Sequence, residues 1–115
     1  MPSKKLIRKL DKVFSAYIRN KGKCEWCGKG KWRGQMQCCH IFSRRYHNTR
    51  WDELNCLCLC AGCHMKGHLE PIEFVEFVKE HLGKKVYEEL RLKHNEVKKW
   101  KDWELEEMII KFKER

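Results

Sequence analysis

Cys24-Glu25-Trp26-Cys27, then Cys39-His40, then Asn55, then Cys60-Ala61-Gly62-Cys63-His64-Met65-Lys66-Gly67-His68 are packed into 45 residues. Two Cys-x2-Cys pairs give four thiolates from two tight turns, the spacing of a tetrahedral zinc site. Threaded through them is a His, Asn, His, His series. One short segment therefore carries a structural metal site and a candidate hydrolytic one.

The quartet is read as Zn2+ bound by Cys24, Cys27, Cys60 and Cys63. Gly28 and Gly30 follow the first pair and Gly62 lies within the second, where the absence of a Cβ lets the backbone fold beneath an ion. Cys56, Cys58 and Cys60 alternate with Leu57 and Leu59, so a strand would turn all three thiols to one face. Cys58 is then the rival of Cys60, and only Cys60 completes a Cys-x2-Cys pair with Cys63. Four disulfides in a secreted domain are the competing reading of eight cysteines. Against it stands an N-terminus that passes straight into Lys4, Lys5 and Arg8 with no signal-like apolar segment.

The inner series suits phosphodiester hydrolysis, in which water loses a proton and a metal neutralises the leaving oxygen. His40 is the candidate general base, because an imidazole titrates near neutral pH. Asn55 is the candidate that holds the backbone around it. His64 and His68 are four residues apart and share one face of a helix, so both can reach one divalent ion. Gly67 is a point where that helix can end early and turn His68 away. Cys39 is a candidate third ligand, although a thiolate is soft and Mg2+ prefers hard oxygen.

These residues resemble the HNH, or ββα-metal, endonucleases over Cys24 to His68. Gln37-Cys38-Cys39-His40-Ile41-Phe42-Ser43-Arg44-Arg45-Tyr46, Thr49-Arg50-Trp51-Asp52, Asn55 and the tail from Lys99-Trp100 to Lys111 are similar to phage recombination endonucleases of the lambda NinG type. The resemblance implies an α+β fold with a zinc-stabilised, treble-clef-like ββα-metal core, an N-terminal helix and a helical tail. It implies His40 as base, Asn55 as orienting residue, and His64, with His68, as ligands of a catalytic Mg2+, Mn2+ or Ni2+. Its implied substrate is double-stranded DNA, branched forms such as junctions and flaps included, and its implied setting is a phage or prophage gene expressed in bacterial cytoplasm. Two positions depart from the pattern. Cys39 stands where aspartate, histidine or glycine is common, and His64 where the lambda-type proteins often have asparagine.

Charge points the same way. Residues 1 to 50 hold 14 Lys and Arg against Asp11 and Glu25, a net of +12, leaving −2 of the overall +10 to residues 51 to 115. The basic half is the one to face a polyanion, and Arg44, Arg45 and Arg50 lie between the base and Asn55, where guanidinium groups can grip phosphates. The alternatives are a solvated basic loop, a zinc-stabilised DNA-binding module without catalysis, and a protein-interaction adaptor built on the tail.

The expected organisation is a single domain: a basic N-terminal helix (1–22), the zinc core (23–70) and a helical tail (71–115). Helical spacing covers Ser3 to about Asn20 through Leu6, Leu10, Val13, Phe14, Tyr17 and Ile18. Strands are expected over Gln35–Phe42 and Asn55–Leu59, and a helix over Gly62–Leu69. Glu70-Pro71 opens a helix with Phe74, Val75, Phe77, Val78 and Leu82 inward, closed by Gly83. A further helix is expected over 84–98 with Val86, Tyr87, Leu90 and Val97 inward. The last has Asp102 as N-cap and Trp103, Leu105, Met108, Ile109 and Phe112 inward. Trp51, Trp100 and Trp103 read as packing residues, Cys38 and Cys56 as small buried hydrophobes, and His81 and His94 as without function. No apolar run is long enough for a membrane span, and the sequence leaves monomer and homodimer open.

Overall fold

Sixteen residues from Lys4 to Arg19 form the first helix, α1, and their apolar spacing explains why: Leu10, Phe14 and Ile18 recur on one face and are fully buried. Ser3 caps it by accepting a hydrogen bond from the Leu6 amide. The computed structural model describes residues 2–30 and 36–114. Among them are β1 (Met36–His40), a 3-10 turn (Glu53–Asn55), β2 (Cys56–Cys60), α2 (Ala61–Leu69), α3 (Pro71–Leu82), α4 (Lys84–His94) and α5 (Asp102–Lys113). The fold is α+β, five helices around a two-stranded sheet. Gln35, expected to start the first strand, lies outside the described residues, and the strand ends at His40 rather than Phe42.

The strands pair antiparallel, with Cys38 opposite Cys58 and His40 opposite Cys56. Directly opposed residues share a face. Met36, Cys38, His40, Cys56, Cys58 and Cys60 therefore lie on one side, and Gln37, Cys39, Leu57 and Leu59 on the other. The first side faces α1: the Phe14 and His40 rings are 6.4 Å apart, and the Cys58 thiol donates to the Arg19 carbonyl at 3.9 Å. The second side faces α2, where Gln37 reaches His64.

α1 is held against α5 by Phe14 edge-on to Phe112 at 4.9 Å, with Tyr17 5.0 Å from the same ring. Asp102, expected to cap α5, is instead its first residue. Its carboxylate accepts from the Ser3 amide at 2.8 Å and ties the two helix starts together. Glu104 takes over the cap by accepting from the Lys101 amide at 3.0 Å. α3 and α4 meet at Gly83, whose φ of +87° needs a residue without a Cβ.

The tail corrects the sequence reading in three places. α4 stops at His94 instead of Lys98, because the chain there runs back under the loop after β1. Asn48 donates to the Lys93 carbonyl at 2.7 Å, and the Trp100 indole to the His47 carbonyl at 2.8 Å. Val97, expected inward, is consequently 87 % exposed. Trp103 is 56 % exposed and Val75 37 %, so neither anchors the core as expected, whereas Trp51 is buried edge-on to Trp100.

Candidate functional site

The first knuckle is a small hairpin in which Lys23 pairs with Gly30 and the Gly28 amide donates back to the Cys24 carbonyl at 2.9 Å. Gly28 has φ of +77°, which fits the glycine expected there; Gly30 and Gly62 have ordinary φ values and open space where a Cβ would stand. Glu25 fixes the hairpin to β2. Its amide donates to the Cys58 carbonyl at 2.9 Å and its carboxylate accepts from the Cys58 amide at 2.6 Å. α3 covers the knuckle from above, with Phe77 stacked on Trp26 at 4.9 Å.

The second knuckle is the start of α2, where Cys60 acts as N-cap and its sulfur accepts from the Cys63 amide at 3.5 Å. Cys24 accepts from the Cys27 amide in the same way, also at 3.5 Å. The four sulfurs of Cys24, Cys27, Cys60 and Cys63 lie within 4.8 Å of one another, and Cys58 is not among them. All eight cysteines are free.

The donor set fits zinc. Zn–S bonds of about 2.3 Å in a tetrahedron put sulfurs roughly 3.8 Å apart, and Cys27 and Cys60 are 3.9 Å apart. Burial pushes the Cys24 thiol up, but amide hydrogen bonds from the knuckles outweigh it and bring it down to about 6. Burial and the neighbouring sulfurs push Cys63 the other way. Four crowded thiolates thus need a cation among them to coexist. The quartet can hold a structural metal ion such as zinc.

A cavity of about 560 Å³ is lined by Cys38, Cys39, His40, Arg44, His64 and His68 together with Asp11 and Phe14. The structure thus brings the expected base and both expected metal-binding histidines to one space. His64 and His68 are 4.9 Å apart, centroid to centroid, on one face of α2. Gly67 does not end that helix. A Cβ there would come within 3.0 Å of Phe74, so the glycine lets α3 approach α2 closely. Gln37 was not singled out as a site residue, yet its side-chain oxygen accepts from His64 Nδ1 and leaves Nε2 as the free ring nitrogen. Only the strand register shows that Gln37 faces α2.

Cys39 stands apart from its expected partners. It borders the cavity but does not bring its sulfur into a group within 4.8 Å of both histidines. Burial, and then Cys38, push its thiol up to about 12.

His40 ends β1. Its Nε2 lies 2.9 Å from the Arg50 carbonyl, which can only accept, so Nε2 carries the proton and Nδ1 the lone pair of the neutral ring. Burial lowers the imidazole's pKa against the pull of that hydrogen bond. The ring is therefore neutral at neutral pH.

Asn55 is fully buried and clamps the loop that follows His40. Its amide nitrogen donates to the Phe42 and Thr49 carbonyls, both at 3.0 Å, and its oxygen accepts from the Phe42 amide at 2.8 Å. Losing such a buried set leaves the Phe42 amide and carbonyl without partners, each costing about 1 to 3 kcal/mol, and leaves the Thr49 carbonyl with the Asp52 amide alone. Asn55→Ala is expected to lower unfolding free energy by about 3 kcal/mol or more, read by urea titration.

The three arginines separate. Arg50 makes a paired contact with Asp11, Nε to Oδ1 at 3.0 Å and a terminal nitrogen to Oδ2 at 2.6 Å. Arg44 reaches the same carboxylate at 2.9 Å while staying 59 % exposed at the cavity wall. Arg45 is exposed and borders a different hollow with Tyr46 and His94. Trp51 also donates to Asp11, at 2.9 Å.

Asp11 is thus the node that locks α1 to the loop, and the reading from sequence missed it. The signal was present: Asp11 and Glu25 are the two acids of the basic half, and both are clamps. Burial alone would raise the Asp11 pKa, but hydrogen bonds from Arg50 and Trp51 and the two guanidinium charges hold it below its ordinary 3.8. A carboxyl lowered by folding stabilises above its unfolded pKa and loses that contribution as pH falls through the folded value. Asp11→Asn is expected to cost about 2 kcal/mol at pH 7 after allowance for solvent screening. The difference from wild type should persist down to pH about 4 and vanish below the folded pKa, measured by thermal unfolding across pH.

Compared with known proteins, the chain matches no family model, no curated protein and no solved structure. Among the described residues no helix is long and apolar enough to cross a membrane.

Proposed function

We propose that this chain is a metal-dependent DNA endonuclease of the HNH, ββα-metal kind, built on a structural zinc. The observation that carries the reading is the convergence of His40, from the end of β1, with His64 and His68, from α2, on one cavity behind a loop clamped by Asn55. His40 on β1, Asn55 in the turn before β2, and His64 and His68 on α2 follow one another in the order that the sequence resemblance implies, which supports the reading.

His40 Nδ1 takes the proton of the attacking water, its ring held by the Nε2 bond to the Arg50 carbonyl. Asn55 is a positioning residue: it fixes the backbone that holds that carbonyl. Nε2 of His64, set by Gln37, and the His68 imidazole would hold a divalent ion. When bound, that ion supplies charge neutralisation at the leaving 3′ oxygen. Arg44 at the cavity wall offers a cation to the flanking phosphate, and Arg45 extends the basic surface. Arg50 acts indirectly, through Asp11 and His40.

Supercoiled plasmid and a synthetic four-way junction, each with Mg2+, Mn2+, Ni2+ or EDTA, test the reading. Nicking that EDTA abolishes is expected, and faster cutting of the junction would place branched DNA as the substrate. Tight, salt-sensitive DNA binding without cleavage in any metal would replace the nuclease with a DNA-binding module.

A further inference from the structure

Four of the eight cysteines make the quartet; two of the remaining four meet His40. Cys38 and His40 alternate on β1, so they share a face, and Cys56 stands directly opposite His40 on β2. The two sulfurs and an imidazole nitrogen lie within 4.8 Å of one another, the only group besides the quartet to do so among the described residues. Neither the zinc quartet nor the hydrolytic mechanism uses the two thiols.

We propose that Cys38, His40 and Cys56 form a second, soft-metal site that takes Zn2+. Two sulfurs and one imidazole suit a borderline-soft ion and not Mg2+, which requires oxygen. Three protein ligands leave a fourth tetrahedral position, and Cys38 and His40 line the cavity, which gives the ion an entry path and room for a water. His40 already has the support typical of a metal-bound imidazole: Nε2 donates to a backbone carbonyl and Nδ1 is left to bind. Cys56 is 2 % exposed, which fixes the floor of the site, while Cys38 is half-buried at its edge.

This site competes with catalysis, a consequence that rests on the nuclease reading. The lone pair that would take a proton from water is the one a zinc ion would occupy. Zinc bound here stops hydrolysis while zinc in the quartet sustains the fold, so one metal has opposite effects at two places.

Cobalt substitution of this chain separates the claims, because thiolate-to-cobalt charge transfer reports sulfur ligation and ignores ions held by His64 and His68. Wild type is expected to saturate that band at two equivalents, and Cys38→Ala/Cys56→Ala at one, with unchanged circular dichroism. Cys38→Ala alone, at the less buried position, gives the same test should the double variant fail to fold. Saturation at one equivalent in wild type, or at two in the Cys38→Ala variants, would overturn the site. Added zinc should inhibit Mg2+-driven nicking in wild type, and Cys38→Ala should need about tenfold more for half-inhibition, each protein compared with its own zinc-free rate. Absence of nicking in every protein would sink the nuclease reading and leave the cobalt count to decide the site.

Discussion

Chelating the quartet's metal is expected to unfold the protein, the largest effect foreseen here. Apparent folding free energy from a structural zinc is on the order of 10 kcal/mol, as large as the whole stability of a small domain. The geometry explains why so much depends on four sulfurs. Cys24 and Cys27 come from a hairpin attached to β2 through Glu25, and Cys60 and Cys63 form the join of β2 to α2. Without the ion, the first knuckle keeps the Glu25 clamp and the Trp26–Phe77 stack, while the thiolates repel one another. Cys60→Ser should therefore lose helical circular dichroism at 25 °C, and a strong chelator should do the same to wild type, reversibly on adding zinc. A chelated protein that kept its cooperative thermal transition would show that the apolar core alone suffices.

The second large effect is on chemistry. His40→Ala is expected to reduce cleavage by about 10² to 10⁴, the range that a positioned general base contributes, with the quartet's zinc retained because His40 lies outside it. Removing the ring also frees the Arg50 carbonyl and opens space beside Phe14. His40→Gln, closer in size, separates that packing loss from the loss of the base. Both variants should fold. If His40→Gln kept wild-type rates, some other group would have to take the proton.

The parts written locally in the chain were legible from sequence. Two Cys-x2-Cys pairs announce knuckles wherever they fall, and Leu10, Phe14 and Ile18 recur at the period of a helix, so the quartet and α1 could be read directly. Cys60 against Cys58 could also be decided, since only one completes a pair. What could not be read depends on contacts between distant segments. Cys38 and Cys56 looked like small hydrophobes, because their meeting with His40 follows from a strand register that no local pattern states. Asp11 enters the sequence reading only as one of two acids in the basic half, yet it binds residues 33 to 40 positions away. The tail failed for a related reason: apolar spacing continued α4 through Val97, but Trp100 and Asn48 compete for that segment and draw it out of the helix.

The arginines show how tertiary pairing changes a charge argument. Arg44, Arg45 and Arg50 read alike as phosphate-gripping residues, but Asp11 neutralises part of that patch. Arg50 gains a role in holding its own backbone carbonyl against His40. A basic cluster in sequence is an upper bound on the positive surface a polyanion meets.

The most direct test of the nuclease assignment is a nicking assay on supercoiled plasmid, with wild type and His40→Ala, each carrying zinc in the quartet alone, compared side by side in Mg2+ and in Mn2+. The expected result is metal-dependent nicking by wild type that His40→Ala lacks while retaining its zinc and its circular dichroism. Equal nicking by the two proteins, or none by folded wild type in either metal, would contradict it.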